Sequence, residues 1–316
     1  MKEINLVIDF SKNSNHSELI GQITSLFVLA PESSLDLKLK LGRDHFLYSD
    51  YLLLLISSLR YLDTRNIKVN GLIEDFSMDS PQVQYASRVN FFKLLGLNLD
   101  EKLPRRDPSG RFTEITFFDK RNIKQVFDSI MKILLVNGVN EDMLTVLNFC
   151  LFEVLDNALN HSSEEFKYGV GSGFSCAQFF PKNQEVRIII ADTGQGIYSA
   201  LTKHPKSKFK NLSEGEAVLR SVDKGVTNSE GMGFGLWATA EMMKKNKGDF
   251  IIHSGNYQLN NFELHKVPFW QGTYTFLRIN TNVPVNYEEI FGENSDQLDM
   301  FQEYKEEFFG GFDKLW

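Results

Sequence analysis

FEVLDNALNH, residues 152–161, is the stretch on which the reading of this chain turns. It ends a segment, 141–161, whose apolar spacing predicts a helix. On such a helix Glu153 and Asn157 stand four apart and share one face. Leu151, Val154, Leu155 and Ala158 point largely elsewhere, toward a core. Asn140 is the expected N-cap, and Glu141 and Asp142 lie at the end of the dipole that favours negative charge. A carboxylate and an amide at this spacing are most often a solvated pair, so the stretch gains meaning only beside two segments later in the chain.

The first of these is IIIADTGQGI, 188–197, in which a buried-type strand runs into Asp192, then Gly194, Gly196 and Ile197. Glycines there let backbone approach a ligand closely. In the second, SEGMGFGLWATAEMM, 229–243, Gly231, Gly233 and Gly235, with Phe234 and Leu236 among them, open a helix. Its free N–H groups and dipole make that end receptive to an anion. The glycine run is not the dinucleotide fingerprint, because no strand feeds it and no βαβ unit comes after it. The pattern GxxxxGK[ST] is absent, which excludes a P-loop.

Outward from these segments, strands and helices alternate over the first third. Strands are expected at 4–9, 35–41, 67–74 and 113–118, and helices at 17–28, 48–63 and 81–95. The second part opens with helices at 121–137 and 141–161. Strands come next at 168–179 and 185–192, then a polar stretch at 198–230 with a helical piece near 213–223. A helix at 233–245 and strands at 249–254 and 272–280 close it. This predicts a two-domain α/β protein: a small α/β domain over 1–118, a second domain over 119–282, and a tail over 283–316.

Charge and cysteine content narrow the classes. The formal net charge is −7, and residues 281–316 carry all of it, with nine acids and two bases. No basic domain appears, so direct nucleic-acid binding is not expected. Aromatics recur among the tail acids: Phe291, Phe301, Tyr304, Phe308, Phe309, Phe312 and Trp316. That composition reads as a solvated tail or as a segment that docks on a partner or folds back. Cys150 and Cys176 are not expected to make a disulfide framework or a four-ligand zinc site. MKEINLVIDF lacks the features of a signal peptide, and YLLLLISSL, 51–59, is too short to span a bilayer, so a cytoplasmic protein without a membrane segment is expected.

Taken together, EVLDNALNH, DTGQGI, GMGFGL and GTYTF (272–276) resemble the N box, G1 box, G2 box and closing strand of the GHKL ATPases. These are the superfamily of gyrase, heat-shock chaperones, histidine kinases and mismatch-repair proteins. The four motifs stand in the family's order over about 140–280. The resemblance implies a Bergerat-type α/β sandwich, a mixed sheet with helices on one face, that binds ATP and Mg²⁺ beneath a lid at 198–230. It implies Asn157 as the Mg²⁺ ligand, Glu153 as the general base that orients water, and Asp192 as the acceptor for the adenine amino group. Gly194, Gly196 and Ile197 would shape the base pocket. Gly231, Gly233, Phe234, Gly235 and Leu236 would line the phosphates. Thr273 would support Asp192 through its hydroxyl or a shared water. Lys224 and Arg220 are candidate phosphate contacts from the lid, beside the bland reading of solvated cations. His161 is expected as a surface or cap residue, Cys150, Phe91 and Phe92 as core, and Trp237 as packed on the sheet.

No histidine lies in 46–160, so the helix at 121–137 cannot carry a phospho-acceptor, and about 36 residues lie beyond the closing strand. The stretch AVLRSVDKGVTNSEGMGFGLWATAEMM resembles the stand-alone, anti-sigma-like type, and the first α/β domain is similar to STAS-like domains. The implied activity is that of a regulatory ATPase whose lid controls a protein partner, bound through the N-terminal domain or the tail, with a homodimer as a further expectation. An anti-sigma-type serine/threonine kinase and a non-hydrolysing ATP adaptor stay open beside it.

Overall fold

The computed structural model describes residues 3–42, 45–74, 76–99, 101, 105, 107–161, 171–227 and 233–292. Strands β1 (Glu3–Asp9), β2 (Ser34–Lys40) and β3 (Lys68–Ile73) form a parallel three-stranded sheet in that order. In β2 the expected alternation buries Leu35, Leu37 and Leu39. Helix α1 (His16–Ile23), continued by a 3-10 turn over Thr24–Val28, and helix α2 (Ser49–Thr64) make the crossovers. The helix expected over 81–95 is two: α3 (Pro81–Arg88) and α4 (Phe91–Leu94). Asn90, at φ 66°, takes the left-handed conformation that asparagine tolerates, and its side chain accepts from Arg105 Nη1 at 2.7 Å. Phe91 and Phe92 are core, as expected.

The second sheet is antiparallel, in the order β4-β5-β6-β8-β7. Its strands are β4 (Thr116–Asp119), β5 (Ser172–Phe180), β6 (Glu185–Ala191), β7 (Asp249–Asn260) and β8 (Glu263–Asn280). The last two form one long hairpin, where the sequence suggested two short strands. Its turn residues, Asn261 and Phe262, both have positive φ, as a two-residue hairpin turn of the I′ kind requires. The strand expected to complete the N-terminal domain is β4, and it joins this second sheet instead, Phe118 opposite Gly173. Period-2 patterning identifies a strand but not its neighbour.

Both faces of the five-stranded sheet are buried. One face, with Val186, Ile188, Ile190, Leu277 and Ile279, packs with helices α5 (Ile123–Val136), α6 (Glu141–His161) and α9 (Gly235–Asn246). The other, with Phe174, Cys176, Ile189, Ala191, Tyr274 and Phe276, shares one core with the N-terminal sheet and helices. Residues 1–118 therefore share a buried core with the second sheet. Two buried faces explain why EVRIIIA reads as an apolar run rather than an alternation. The same placement explains α2, where every residue from Ser49 to Ser58 is buried, because it touches both β5 and β6.

Polar residues also cross this junction. Asp50 of α2 is 3% exposed and accepts from Arg187 Nη2 of β6 at 2.5 Å, with His16 Nε2 3.0 Å from the same oxygen. The Arg187 guanidinium lies 3.9 Å from the Tyr48 ring centroid and 4.9 Å from that of Phe276. Burial alone would raise the Asp50 carboxyl, but Arg187 and His16 outweigh it and hold it down at about 2. Ser17 Oγ donates to Gln258 Oε1 at 3.2 Å, and Thr24 Oγ1 to the Phe269 carbonyl at 2.9 Å, tying the N-terminal helices to the β7–β8 hairpin.

The tail expected from 283 does not begin there. Val285 and Ile290 are buried, and helix α10 (Glu288–Phe291) places Phe291 against Phe149 and Trp237. Residues 293–316 lie outside the described residues. Among the described residues no helix is long and apolar enough to cross a membrane.

Asp50→Ala, which strands Arg187, is expected to cost about 3–5 kcal/mol in denaturant unfolding at pH 7. Asp50→Leu with Arg187→Met is expected to recover most of that loss. The Asp50 carboxyl sits lower in the folded chain than its unfolded value of about 3.9. Its contribution is thus complete above pH ~4 and is lost as pH falls through about 2, a decline absent from the double variant.

Candidate functional site

The site is built at the end of β6 on the helix-covered face. Asp192 follows Ile188 and Ile190 at two-residue steps, so it lies on their side of the sheet. Its backbone continues the ladder: its N–H donates to the Thr273 carbonyl at 2.8 Å. Its own carbonyl accepts from Trp270 Nε1 at 3.2 Å, and its Oδ1 accepts from the Gly194 N–H at 2.7 Å. Asp192 is 6% exposed, and burial pushes its carboxyl up to about 7, although the N–H groups of Gly194 and Thr273 pull the other way.

Gly272 is required for this fastening. It has φ +84°, and a Cβ there would lie 2.5 Å from both the Asp192 carbonyl oxygen and the Gly194 nitrogen. Ser254, across the ladder from Thr273, completes the frame. Its hydroxyl donates to the Gly272 carbonyl at 2.9 Å and accepts from the Ile197 N–H at 2.9 Å. Helix α7 (Gly196–Thr202) thus starts from a fixed point. The Thr273 hydroxyl donates to Ser254 Oγ at 3.4 Å, and the carbonyl of the same residue accepts from the Asp192 N–H.

The second group comes from α6 and α9. Glu153 and Asn157 are both half-buried, one turn apart on α6. Burial first, then the neighbouring charge of Asp156, pushes the Glu153 carboxyl up to about 7. The first residue of α9, Gly235, sits directly against it, since a Cβ there would lie 2.5 Å from Glu153 Cβ and 2.6 Å from Oε2. Thr239 Oγ1 anchors the same turn by donating to the Gly235 carbonyl at 2.8 Å. Cys150, fully buried beneath, is core as expected, and its thiol is pushed up to about 12 by burial.

The glycine run is held from the other side. The Gly225 N–H donates to the Gly233 carbonyl at 2.9 Å, so the far end of the polar stretch is clipped to the start of α9. Phe234, Leu236 and Ile197 are half-buried against the helix-side core. Gly231 lies outside the described residues, as does the side chain of His161. Lys224 Nζ stands 4.5 Å from the Trp237 ring centroid and 5.5 Å from that of Phe234. Trp237 contacts Phe234 and Phe291 and is half-buried against the core between the helices and the sheet. Arg220 is exposed in the last turn of α8 (Glu214–Arg220). Asn140, the expected N-cap of α6, donates its side-chain amide to the Val285 carbonyl at 3.3 Å, and its buried Oδ1 has no partner among the described residues.

The polar stretch 198–227 is structured. Ser213 and Glu216 form a capping box at α8, and the Glu214 carboxylate accepts from the Asn256 N–H at 3.0 Å. One rim therefore holds Asp192 with Gly194, Gly196, Ile197 and Thr273. A second group, Glu153 and Asn157 on α6 with Gly233 and Gly235 at the start of α9, lies on the helix-covered side of the same sheet. Ser254, Trp270 and Gly272 escaped the sequence reading of the site. Gly272 was visible as the first residue of GTYTF. Ser254 and Trp270 carry no local signature, because their roles come from hairpin pairing. No protein-family model matches the sequence, and no curated protein is significantly similar to it.

Two carboxyls held near 7 impose a pH dependence. In the unfolded chain both ionise near pH 4, whereas the folded chain keeps them protonated to about pH 7. Their burden on stability is absent below pH ~4, grows from pH 4 to 7 and is constant above. Asp192→Asn is therefore expected to stabilise the protein by on the order of 1–3 kcal/mol at pH 8 and by much less at pH 4.5. Urea unfolding at the two pH values checks this, and an equal gain at both would refute it.

Proposed function

We propose that this chain is a Mg²⁺-dependent ATP-binding regulatory protein with a Bergerat-type nucleotide domain. The observation that carries the reading is Asp192: a buried carboxyl whose Oδ1 accepts from the Gly194 N–H, on the same face of the sheet as the helix bearing Glu153 and Asn157. A rigid buried acceptor of this kind suits the exocyclic amine of adenine, and a base offering a carbonyl there would leave two acceptors facing each other.

The residues fit the group. The half-buried start of α9 and the backbone of Gly233 and Gly235 suit an anion. Among the described residues no cluster of three His, Cys, Asp or Glu could hold a metal by itself. A magnesium ion at Asn157 would therefore draw its other ligands from the nucleotide and water, as that ion usually does. Such an ion would neutralise charge on the phosphates. Glu153 would accept a proton from water: its carboxyl, held near 7, is matched to that task at neutral pH. Lys224, over the Trp237 ring, keeps a cation at the entrance of α9.

The regulatory part comes from the clip between Gly225 and Gly233. A ligand at the start of α9 would favour one placement of the 198–227 segment, and it shifts that equilibrium only by its different affinity for the two states. The output would be binding of a protein partner, through the STAS-like N-terminal unit or the acidic tail, in a monomer or a homodimer. The kinase and adaptor readings use the same pocket. They differ in where the phosphate goes: onto a protein, or nowhere.

ATP binding, measured by calorimetry with Mg²⁺ at pH ~8, above the Asp192 value of about 7, is expected to weaken about 10- to 100-fold in Asp192→Asn, because one charge-assisted hydrogen bond is lost. Glu153→Ala is expected to keep ATP affinity within a few fold while slowing release of phosphate by about 10²–10⁴. Unchanged ATP affinity in Asp192→Asn would remove the proposal. Phosphate found on a co-purified protein would favour the kinase reading.

A further inference from the structure

The segment between α7 and α8 carries a charge pattern that the proposed pocket does not use. Lys203, Lys206, Lys208 and Lys210 fall within eight residues that contain no acid. All four are exposed. The loop between them is pinned from inside. Ser207 is 8% exposed, its hydroxyl donates to the Leu201 carbonyl and accepts from the Phe209 N–H, and its own N–H donates to the His204 carbonyl at 3.0 Å. The lysines therefore stand on a fixed support. The nearby acids of α8 are engaged elsewhere: Glu214 with Asn256 and Glu216 with Ser213. Two large apolar side chains in the flanking helices, Tyr198 at 40% and Leu219 at 43%, are exposed. Residues 198–224 hold six bases against three acids, Glu214, Glu216 and Asp223, so the segment is basic, with apolar members.

The other end of the chain has the complementary composition. Residues 293–316 hold seven acids, two bases and the aromatics Phe301, Tyr304, Phe308, Phe309, Phe312 and Trp316. The described chain stops at Gly292, directly after Phe291. The Phe291 ring stands 6.2 Å from Trp237, and Lys224 Nζ lies 4.5 Å from Trp237 on the ring face. Phe291, next to the last described residue, is therefore separated from Lys224 only by the Trp237 ring. Helix α8, seven residues and about 10 Å long, separates Lys224 from Lys210. A tail of 24 residues can extend to about 80 Å, so the distance is no obstacle. Tethering gives such a segment a high effective concentration at any surface within its reach.

We propose that residues 293–316 dock in cis on the 198–224 surface, with tail carboxylates on Lys206, Lys208 and Lys210 and tail aromatics on the apolar members. The inference stands on charge, connectivity and chain length, and does not rest on the nucleotide reading. Its functional meaning is competition: any polyanion that approaches these lysines, a nucleotide's phosphates or an acidic protein surface, must displace the tail.

The test uses the full chain without nucleotide. Carbodiimide coupling of an equal mixture of ¹⁵N-labelled and unlabelled protein, followed by peptide mass spectrometry, is expected to join Glu303, Glu306 or Glu307 to Lys206, Lys208 or Lys210. Those links are expected within one isotopic species, and to fall at least about fivefold at 1 M salt, where the screening length is about 3 Å. In parallel, hydrogen exchange of tail amides is expected to quicken in the Lys206→Glu, Lys208→Glu, Lys210→Glu variant whose circular dichroism is unchanged. Links scattered evenly over distant lysines such as Lys38 and Lys124 would overturn the proposal. So would links in which mixed-isotope pairs are as frequent as same-isotope pairs, which mean a second copy, or a tail that exchanges at the same rate in the charge-reversed chain. If that variant fails to fold, the coupling pattern of the wild-type chain decides alone.

Discussion

The structure depends on burying both faces of one antiparallel sheet. An antiparallel sheet can leave one face in water, and its strands then alternate. Here β6 is apolar on both sides, so each face needs a cover. Helices α5, α6 and α9 supply one and the N-terminal unit the other. The pair Asp50–Arg187 lies inside the second cover, where an unpaired charge would be costly and a wrong docking angle would leave one. Burial gives this junction its strength, and removing one partner of the ion pair would leave an uncompensated charge inside it.

The same arrangement reaches the candidate site. Trp270 packs edge-on to Phe27 at 5.1 Å, on the N-terminal side of the sheet, while its indole donates to the Asp192 carbonyl. Asp192 faces the opposite side. A single residue of the hairpin thus links the N-terminal core to the backbone that aims the carboxyl. Glu153 and Asp192 are both kept close to neutrality by burial, although they sit on different elements. Sites that hold carboxyls in this state give up stability for chemistry or recognition.

Much of this was legible in the residues. The strand ending at Ala191, the amphipathic α5 and the placement of Glu153 and Asn157 come from periodicity, and the polarity of DTGQG marks the rim. What was not legible depended on partners distant in sequence. Strand β4 has a strand's pattern but nothing that says which sheet it joins. Helix α2 looks like one more amphipathic crossover until the second sheet arrives on its far side. The break at Asn90 needs the left-handed conformation that asparagine permits but does not dictate. Ser254 and Trp270 enter the site only through the pairing of β7 with β8, and the reading of the hairpin stopped on either side of its bulge at Ser254–Gly255.

The placement of the tryptophans has a spectroscopic consequence. The chain has three, at 237, 270 and 316. Trp270 is fully buried and bonded to the residue that anchors the site, so its emission belongs at short wavelength. Trp237 is half-buried beneath a lysine ammonium at the mouth of α9, where emission responds to any change in that charge. Trp316 sits at the end of the tail. The molecule therefore carries intrinsic fluorophores at the floor of the rim, at its entrance and on its acidic tail, and replacing them one at a time with phenylalanine gives each region its own optical signal without an attached dye.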